Sequence, residues 1–252
     1  MLHAQINRKC STTEDILTST FFGHLELLGD PIWLIDILET FSQKEKRNHS
    51  LFGDLDGVID ELDKNTKLSF EFWPKMTDGT EPDLIVICEI DDITIPIMFE
   101  VKYQSRLSNN DQLILEYKNL KNKRNRILEE IDYEKGLLVY LTKNKISHTK
   151  EFKDSIKEIK NQGAYDKSFT CIHLKWEEHM YRSLEKCTIE EGLKNIAKKL
   201  RNYLDHLGLV PFDGFDEVLE TDVHQDQYYR FVITLKWPER KINPKLRWRF
   251  RK

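Results

Sequence analysis

The chain is poor in cysteine, with four in 252 residues, and no two of them form a CxxC pair. Such sparse usage of Cys10, Cys88, Cys171 and Cys187 fits a reducing cytoplasm. Cys171, His173, His179 and Cys187 lie close together in sequence, but their spacing follows no common zinc pattern, and core or surface roles account for them better. No apolar run approaches the roughly 20 residues of a membrane span, and the N-terminus has no signal-peptide pattern. The expectation is a cytoplasmic protein with no membrane partner. No GxSxG elbow, Walker loop or HExxH helix occurs, so any use of ATP would need a partner chain. There is no internal repeat and no low-complexity segment.

What is present suits a globular chain: 39% hydrophobic and 33% charged residues, with 13 Phe, 9 Tyr and 5 Trp to build a core. This length holds one large domain or a domain with an appendage. The net charge of −4 says little about partners, but its distribution says more. From Lys236 to Lys252 eight Lys and Arg stand against one acid, Glu239. A second basic cluster is Lys118, Lys121, Lys123, Arg124 and Arg126. Basic patches on an acidic protein suit phosphate contact, and a solvated face is the plainer reading of either cluster alone.

Helical spacing of Ile16, Leu17, Phe21, Leu25 and Leu28 predicts a helix through EDILTSTFFGHLELL. Asp30-Pro31 reads as the start of a second helix, running to about Lys46. Strand-like runs follow at 68–73, 83–90 and 93–103, then a helix over about 111–131 and a buried strand, GLLVYLT, at 136–142. A helix near 149–161 and a strand near 168–174 come next. Thr188 with Glu191 makes a capping box for a helix ending near Gly208, and YYRFVITLKW at 228–237 reads as a strand. A crossover through 111–131 implies parallel strands at 93–103 and 136–142. The fold class is therefore α/β, a mixed sheet flanked by helices, with a domain over 1–208 and a small α/β extension with a basic tail over 209–252.

The two apolar runs in EPDLIVICEIDDITIPIMFEVKY carry charges at their ends. Ile90-Asp91-Asp92-Ile93 suits a two-residue hairpin turn. That register sets Asp83 opposite Glu100, with Cβ atoms about 4.5–5.5 Å apart. Alternation puts Glu100 and Lys102 on one face. Pro96 cannot donate to a ladder, so a neighbouring strand must miss it or a bulge must lie there. Two carboxylates side by side need a proton or a cation, and oxygen donors of this kind suit Mg²⁺ or Mn²⁺. Lys102 would then orient or help deprotonate a water, or stabilise charge on phosphorus. Three solvated strand-end residues are the bland alternative.

Pro82-Asp83 and Glu100-Val101-Lys102, separated by an apolar hairpin, resemble the two halves of the PD-(D/E)XK nuclease motif. The helix-strand-strand-strand-helix-strand order over about 12–142 is similar to that superfamily's core. The resemblance implies a restriction-endonuclease-like core and metal-dependent phosphodiester hydrolysis. Asp83, Glu100 and the Val101 carbonyl would hold Mg²⁺ or Mn²⁺, and Lys102 would position the water. Glu14 resembles the glutamate some members carry on the first core helix; an acid favoured by the helix N-terminus is its other reading. Gln112 and Tyr117 resemble a glutamine–tyrosine pair on the helix after ExK, but five residues apart rather than four. Glu116 holds the four-residue position, as a helix-face acid. Trp73 could stack on a base, although a core or rim aromatic is the simpler reading. Lys118, Lys121, Lys123, Arg124 and Arg126 would line a nucleic-acid channel.

The implied partner is DNA, with RNA not excluded, in restriction or anti-phage defence, as a homodimer or beside a partner defence protein. A non-catalytic nucleic-acid-binding or assembly subunit retaining the fold is the alternative. A third reading gives the basic tail to an acidic partner.

Overall fold

Residues 2–7, 9, 13–45, 51–109, 111–186 and 191–211 are described by the computed structural model of the chain. The strands are β1 (Leu51–Phe52), β2 (Lys67–Phe72), β3 (Leu84–Ile90), β4 (Ile93–Lys102), β5 (Gly136–Thr142) and β6 (Phe169–Lys175). The helices are α1 (Leu2–Ile6), α2 (Thr13–Leu28), α3 (Ile32–Glu45), α4 (Asp56–Ile59), α5 (Gln112–Lys121), α6 (Arg126–Glu130), α7 (Ile146–Asn161), α8 (Tyr181–Lys186) and α9 (Glu191–Leu207). A π-helical segment, Trp176–Met180, joins β6 to α8. The chain divides into a unit from Met1 to Pro211 and a second from Phe212 to Lys252. The strand expected at 228–237, the basic tail, Thr188 and Cys187 lie outside the described residues. Among those described, no helix is long and apolar enough to cross a membrane.

The strands form one mixed sheet in the order β1-β6-β5-β4-β3-β2. The β1–β6, β2–β3 and β3–β4 pairs are antiparallel, and β4–β5 and β5–β6 are parallel. The hairpin has the expected register, from Ile90↔Ile93 to Leu84↔Phe99. Asp91 takes φ +48°, a left-handed conformation that a short polar side chain tolerates better than a branched one. β5 begins to pair with β4 only at Ile97, so its ladder asks nothing of Pro96. The parallel β4–β5 step is what the sequence leads one to expect from a helical crossover.

That crossover is two helices rather than one over 111–131. The chain turns after Lys121, with Lys123 at φ +53°. Asn125 then caps the short α6, its side chain accepting from Ile127 N–H at 2.8 Å. Asp30 does the same for α3, accepting from Ile32 N–H at 2.9 Å. Periodicity and capping signals do not mark the π-helical segment and α8, where Trp176 is fully buried beside Phe21 and Phe22.

Side chains alternate along the strands and so feed two cores. One joins Val86, Phe99, Val101, Val139 and Ile172 to residues of α2, α3, α8 and α9. The other joins Ile85, Met98, Leu138 and Cys171 to α5 and α7. Both faces are covered, which is why the strands read as continuous apolar runs.

Candidate active site

Glu100, Val101 and Lys102 close β4. Alternation sends Val101 into the first core, fully buried, and leaves Glu100 and Lys102 on the face that α5 covers. In the parallel ladders Glu100 neighbours Tyr140, and Tyr140 neighbours His173. Lys102, Thr142 and Lys175 form the next row.

Asp83 departs from the expected ladder position opposite Glu100. The strand ends at Leu84–Phe99, and Asp83 N–H donates to the Phe99 carbonyl at 3.1 Å. Its Oδ2 reaches on to accept from Val101 N–H at 2.8 Å. Its own carbonyl accepts from Trp73 N–H at 3.1 Å. Trp73 is buried at φ +51°, an uncommon conformation for a bulky residue, so its role here is structural support beside Asp83 rather than an exposed stacking platform. Asp83 is thus tied to the peptide between Glu100 and Lys102.

Around these groups the structure gathers Glu14 and Gln112. Lys102 Nζ makes a close ion pair with Glu100 Oε1 and lies 3.4 Å from Glu14 Oε1. Glu14 Oε2 accepts from Tyr103 N–H and from the Ser105 hydroxyl, each at 2.7 Å. Gln112 Nε2 donates to Glu100 Oε1 at 2.6 Å and lies 3.1 Å from Glu116 Oε1. Gln112 Oε1 accepts from Ser108 N–H at 2.9 Å. Five residues from four separate stretches of the chain therefore meet at one end of the sheet.

Glu116 is the residue that sequence reasoning undervalued. It is fully buried in the same cluster, not a solvated helix-face acid. Its signal was the four-residue spacing from Gln112, which puts both on one side of α5. Tyr117 points elsewhere: its hydroxyl donates to the Asp166 carbonyl and accepts from Asp166 N–H. A polar group beyond Glu100 was also missed. Tyr140 donates to Glu151 Oε2 at 2.8 Å with His148 Nδ1 alongside at 3.2 Å, and Thr142 Oγ1 contacts His173 Nε2 at 2.8 Å. Tyr and Thr at alternate positions of GLLVYLT were the available clue.

Burial dominates the electrostatics. It lifts Asp83 well above the carboxylate range, and Glu100 lifts it further. Burial likewise raises Glu100, with Glu116 adding to the effect, and it pushes Glu116 up to about 7. Burial works against the Lys102 ammonium, but Glu100, Asp83 and Glu14 outweigh it and hold the lysine above its ordinary value.

The basic cluster does not join this site. Lys118 donates to Gln162 Oε1 at 2.6 Å, and Lys121 donates to the Ala164 carbonyl at 3.1 Å. Lys123 holds the Ile131 carbonyl and Asp132, and Arg126 pairs with Glu130 on the surface. Arg124 is exposed, and its carbonyl accepts from Thr77 N–H. Neighbouring Leu120 packs against Gly136, at the start of β5, so this end of α5 lies at the opposite end of the strands from Lys102.

Among the described residues, no group of three or more His, Cys, Asp and Glu side chains converges ready to hold a metal. Cys171 is buried, His179 accepts from Lys175 N–H, and Cys187 lies outside the described residues. The Lys102 ammonium sits against Glu100 Oε1. The donor chemistry nonetheless suits a hard divalent ion. All the donors are carboxylate oxygens, and Oε2 of Glu100 and of Glu116 is buried without a hydrogen-bond partner.

The molecule is thus an α/β protein with a mixed sheet and a carboxylate–lysine–glutamine cluster at the sheet's end. No family model, no curated protein and no solved structure matches the chain.

Proposed function

We propose that this protein is a metal-dependent nuclease of restriction-endonuclease-like fold that hydrolyses phosphodiester bonds in DNA and serves in restriction or anti-phage defence. The observation that carries the reading is the meeting of Glu14, Asp83, Glu100, Lys102 and Gln112, drawn from separate segments, at one sheet end. Asp83 and Glu100, with the Val101 carbonyl, would hold Mg²⁺ or Mn²⁺. An ion held there would polarise the scissile phosphate and acidify an attacking water.

This chain's residues do the rest. Lys102, beside Glu100 and Glu14, would orient or help deprotonate the attacking water and stabilise charge developing on phosphorus. Gln112 fixes Glu100, and Asp83 is fixed by the Val101 amide, so neither carboxylate must reorganise during the reaction. Glu14 anchors the turn after Lys102 through Tyr103 and Ser105.

A second reading, a non-catalytic nucleic-acid-binding or assembly subunit, is favoured by one observation: Lys102 and Gln112 already satisfy Glu100 Oε1 without an ion. One experiment separates the two. Plasmid DNA, single-stranded DNA and RNA are incubated with the full chain in Mg²⁺, Mn²⁺ or EDTA, beside Asp83→Asn and Lys102→Ala. Metal-dependent cleavage that both variants lose supports the nuclease. Binding with no cleavage and no metal dependence favours the subunit, and equal cleavage in all three preparations overturns the assignment.

A further inference from the structure

Glu116 is the only acid on α5 and sits among Leu113, Ile114, Tyr117 and Leu120, all buried. A carboxylate in such a place is costly to bury, by several kcal/mol if it stays charged and uncompensated. Its polar neighbours on the helix are Gln112 and Asn119, and of these Gln112 reaches it. What distinguishes Glu116 is its relation to Glu100. One nitrogen, Gln112 Nε2, lies within hydrogen-bonding distance of Oε1 on both carboxylates, at 2.6 and 3.1 Å. The second oxygen of each, Oε2, is buried and has no partner among the described residues. Glu100 and Glu116 are 1% and 0% exposed, so solvent does not satisfy those oxygens. Buried acceptors in folded proteins are nearly always paired. The Glu100 and Glu116 carboxyl groups lie within hydrogen-bonding reach of each other, so the pair needs either a shared proton or a cation between its oxygens.

The charge count favours the cation. Asp83, Glu100, Glu116 and Glu14 all interact with Lys102, and of these four Asp83 also feels Lys9. A water between Glu100 and Glu116 would fill the two acceptors but leave the charge uncompensated. A hard divalent ion does both, and carboxylate oxygens are the donors it prefers.

We infer that Glu116 is a further carboxylate ligand of this site and that Glu100 and Glu116, held face to face by Gln112, form a position for a hard divalent cation on the α5 side of the cluster. The inference rests on the nuclease reading for its location but not for its test. Gln112 is then a positioning residue: it aligns the two carboxylates through their Oε1 atoms and leaves Oε2 of each for the ion.

The test is Mn²⁺ binding to the full chain, read by isothermal titration calorimetry and by the electron paramagnetic resonance signal of free Mn²⁺. Wild type is compared with Glu116→Gln, Glu116→Asp, Glu100→Gln, Asp83→Asn and, as a neighbour that faces away, Tyr117→Phe. Glu116→Gln is expected to weaken Mn²⁺ binding about tenfold or more. Glu116→Asp, which keeps the charge and withdraws the oxygens, weakens it less, and Tyr117→Phe leaves it within about twofold. The metal-free thermal midpoint of Glu116→Gln should not fall, because a buried uncompensated charge has gone. If Glu116→Gln does not fold, Glu116→Asp carries the test. Wild-type affinity in the Glu116 variants, with binding lost in Asp83→Asn and Glu100→Gln, overturns this inference and leaves the nuclease reading standing. Failure of the wild type itself to bind Mn²⁺ at millimolar concentration overturns both.

Discussion

The two faces of the sheet are built from the same strands yet differ in kind. Toward α2, α3, α8 and α9 point Leu84, Val86, Cys88, Ile95, Ile97, Phe99, Val101, Leu137, Val139, Leu141, Ile172 and Leu174, every one apolar. Toward α5 and α7 the strands begin apolar, with Ile85, Ile87, Met98, Leu138 and Cys171. They end in Glu100, Lys102, Tyr140, Thr142 and His173, all buried. The difference separates stability from chemistry. The charge-free face, polar only at the buried Thr170, and the first half of the other offset the burial of charge where β4 and β5 end.

The sharpest way to break that comparison is Lys102→Ala. Removing the cation from the carboxylate cluster is expected to lower cleavage by about 100-fold or more. Stability should change far less, since three raised carboxyl groups can take up protons when the lysine is gone. Cleavage rate and thermal midpoint, measured on the same preparation, check both halves. A variant that is merely unfolded would count against the division of labour.

Phe22→Ala on the apolar face should do the reverse. Phe22 is fully buried against Phe21, Trp33, Phe99 and Trp176. Truncating such a side chain costs about 3–5 kcal/mol. That corresponds to a fall of roughly 10 °C in midpoint for a chain of this size. Specific activity of the folded fraction should stay within about twofold of wild type, because the charged side chains of the site lie on the other face of β4. Denaturant melts give the first quantity, and assays well below the midpoint give the second.

The polar end of the other face should also write itself into the pH dependence of stability. Burial, with Lys175, His148 and His179 nearby, lowers His173 from 6.5 to about 3. Thr142 Oγ1 donates to the Lys143 carbonyl and so accepts from His173 Nε2–H, which leaves Nδ1 as an unprotonated acceptor. As pH falls below 6.5 the unfolded chain takes a proton at this histidine and the folded one does not. The contribution of His173 is therefore complete above 6.5 and is lost progressively toward about 3. Each pKa unit is worth about 1.4 kcal/mol, so the loss reaches a few kcal/mol at most. Replacing His173 with Gln should flatten the decline in midpoint between pH 6.5 and 4 by about one proton's worth. An unchanged slope would show that His173 takes up its proton in the folded state as readily as in the unfolded one.

Much of this was legible in the sequence because it is local or periodic. The hairpin register followed from Ile90-Asp91-Asp92-Ile93, and β5 from the unbroken run GLLVYLT. Asp30-Pro31 marked the start of α3. The nearness of Glu100 and Lys102 followed from strand alternation alone. Other features depend on where elements pack. Whether Glu116 is a surface acid or a buried one turns on which side of α5 meets the sheet, and helical spacing is silent on that. The exact reach of Asp83 depends on the ladder ending one residue early, at Leu84. The split between α5 and α6 arises from Lys123 at φ +53° and the Asn125 cap, a turn that charge-rich KNKRN disguises as helix surface. Basic clustering was legible, but its direction was not.

That last point gives the smallest predicted effect. Lys118 and Lys121 sit at the end of α5 remote from Gln112, and both already hold partners, Gln162 in one case and Ala164 with Asp166 in the other. Their contacts are surface ones, worth about 1 kcal/mol or less together. Lys118→Ala combined with Lys121→Ala should therefore shift the midpoint by only about 2–4 °C. DNA affinity should stay within about twofold, and the slope of log affinity against log salt should not change. Each lysine that neutralises a phosphate contributes about 0.9 to that slope in duplex DNA, so loss of two contacts would lower it by nearly two. A drop of that size would mean that the nucleic acid runs along α5 past both lysines, and the division between a reactive sheet end and a structural one would have to be redrawn.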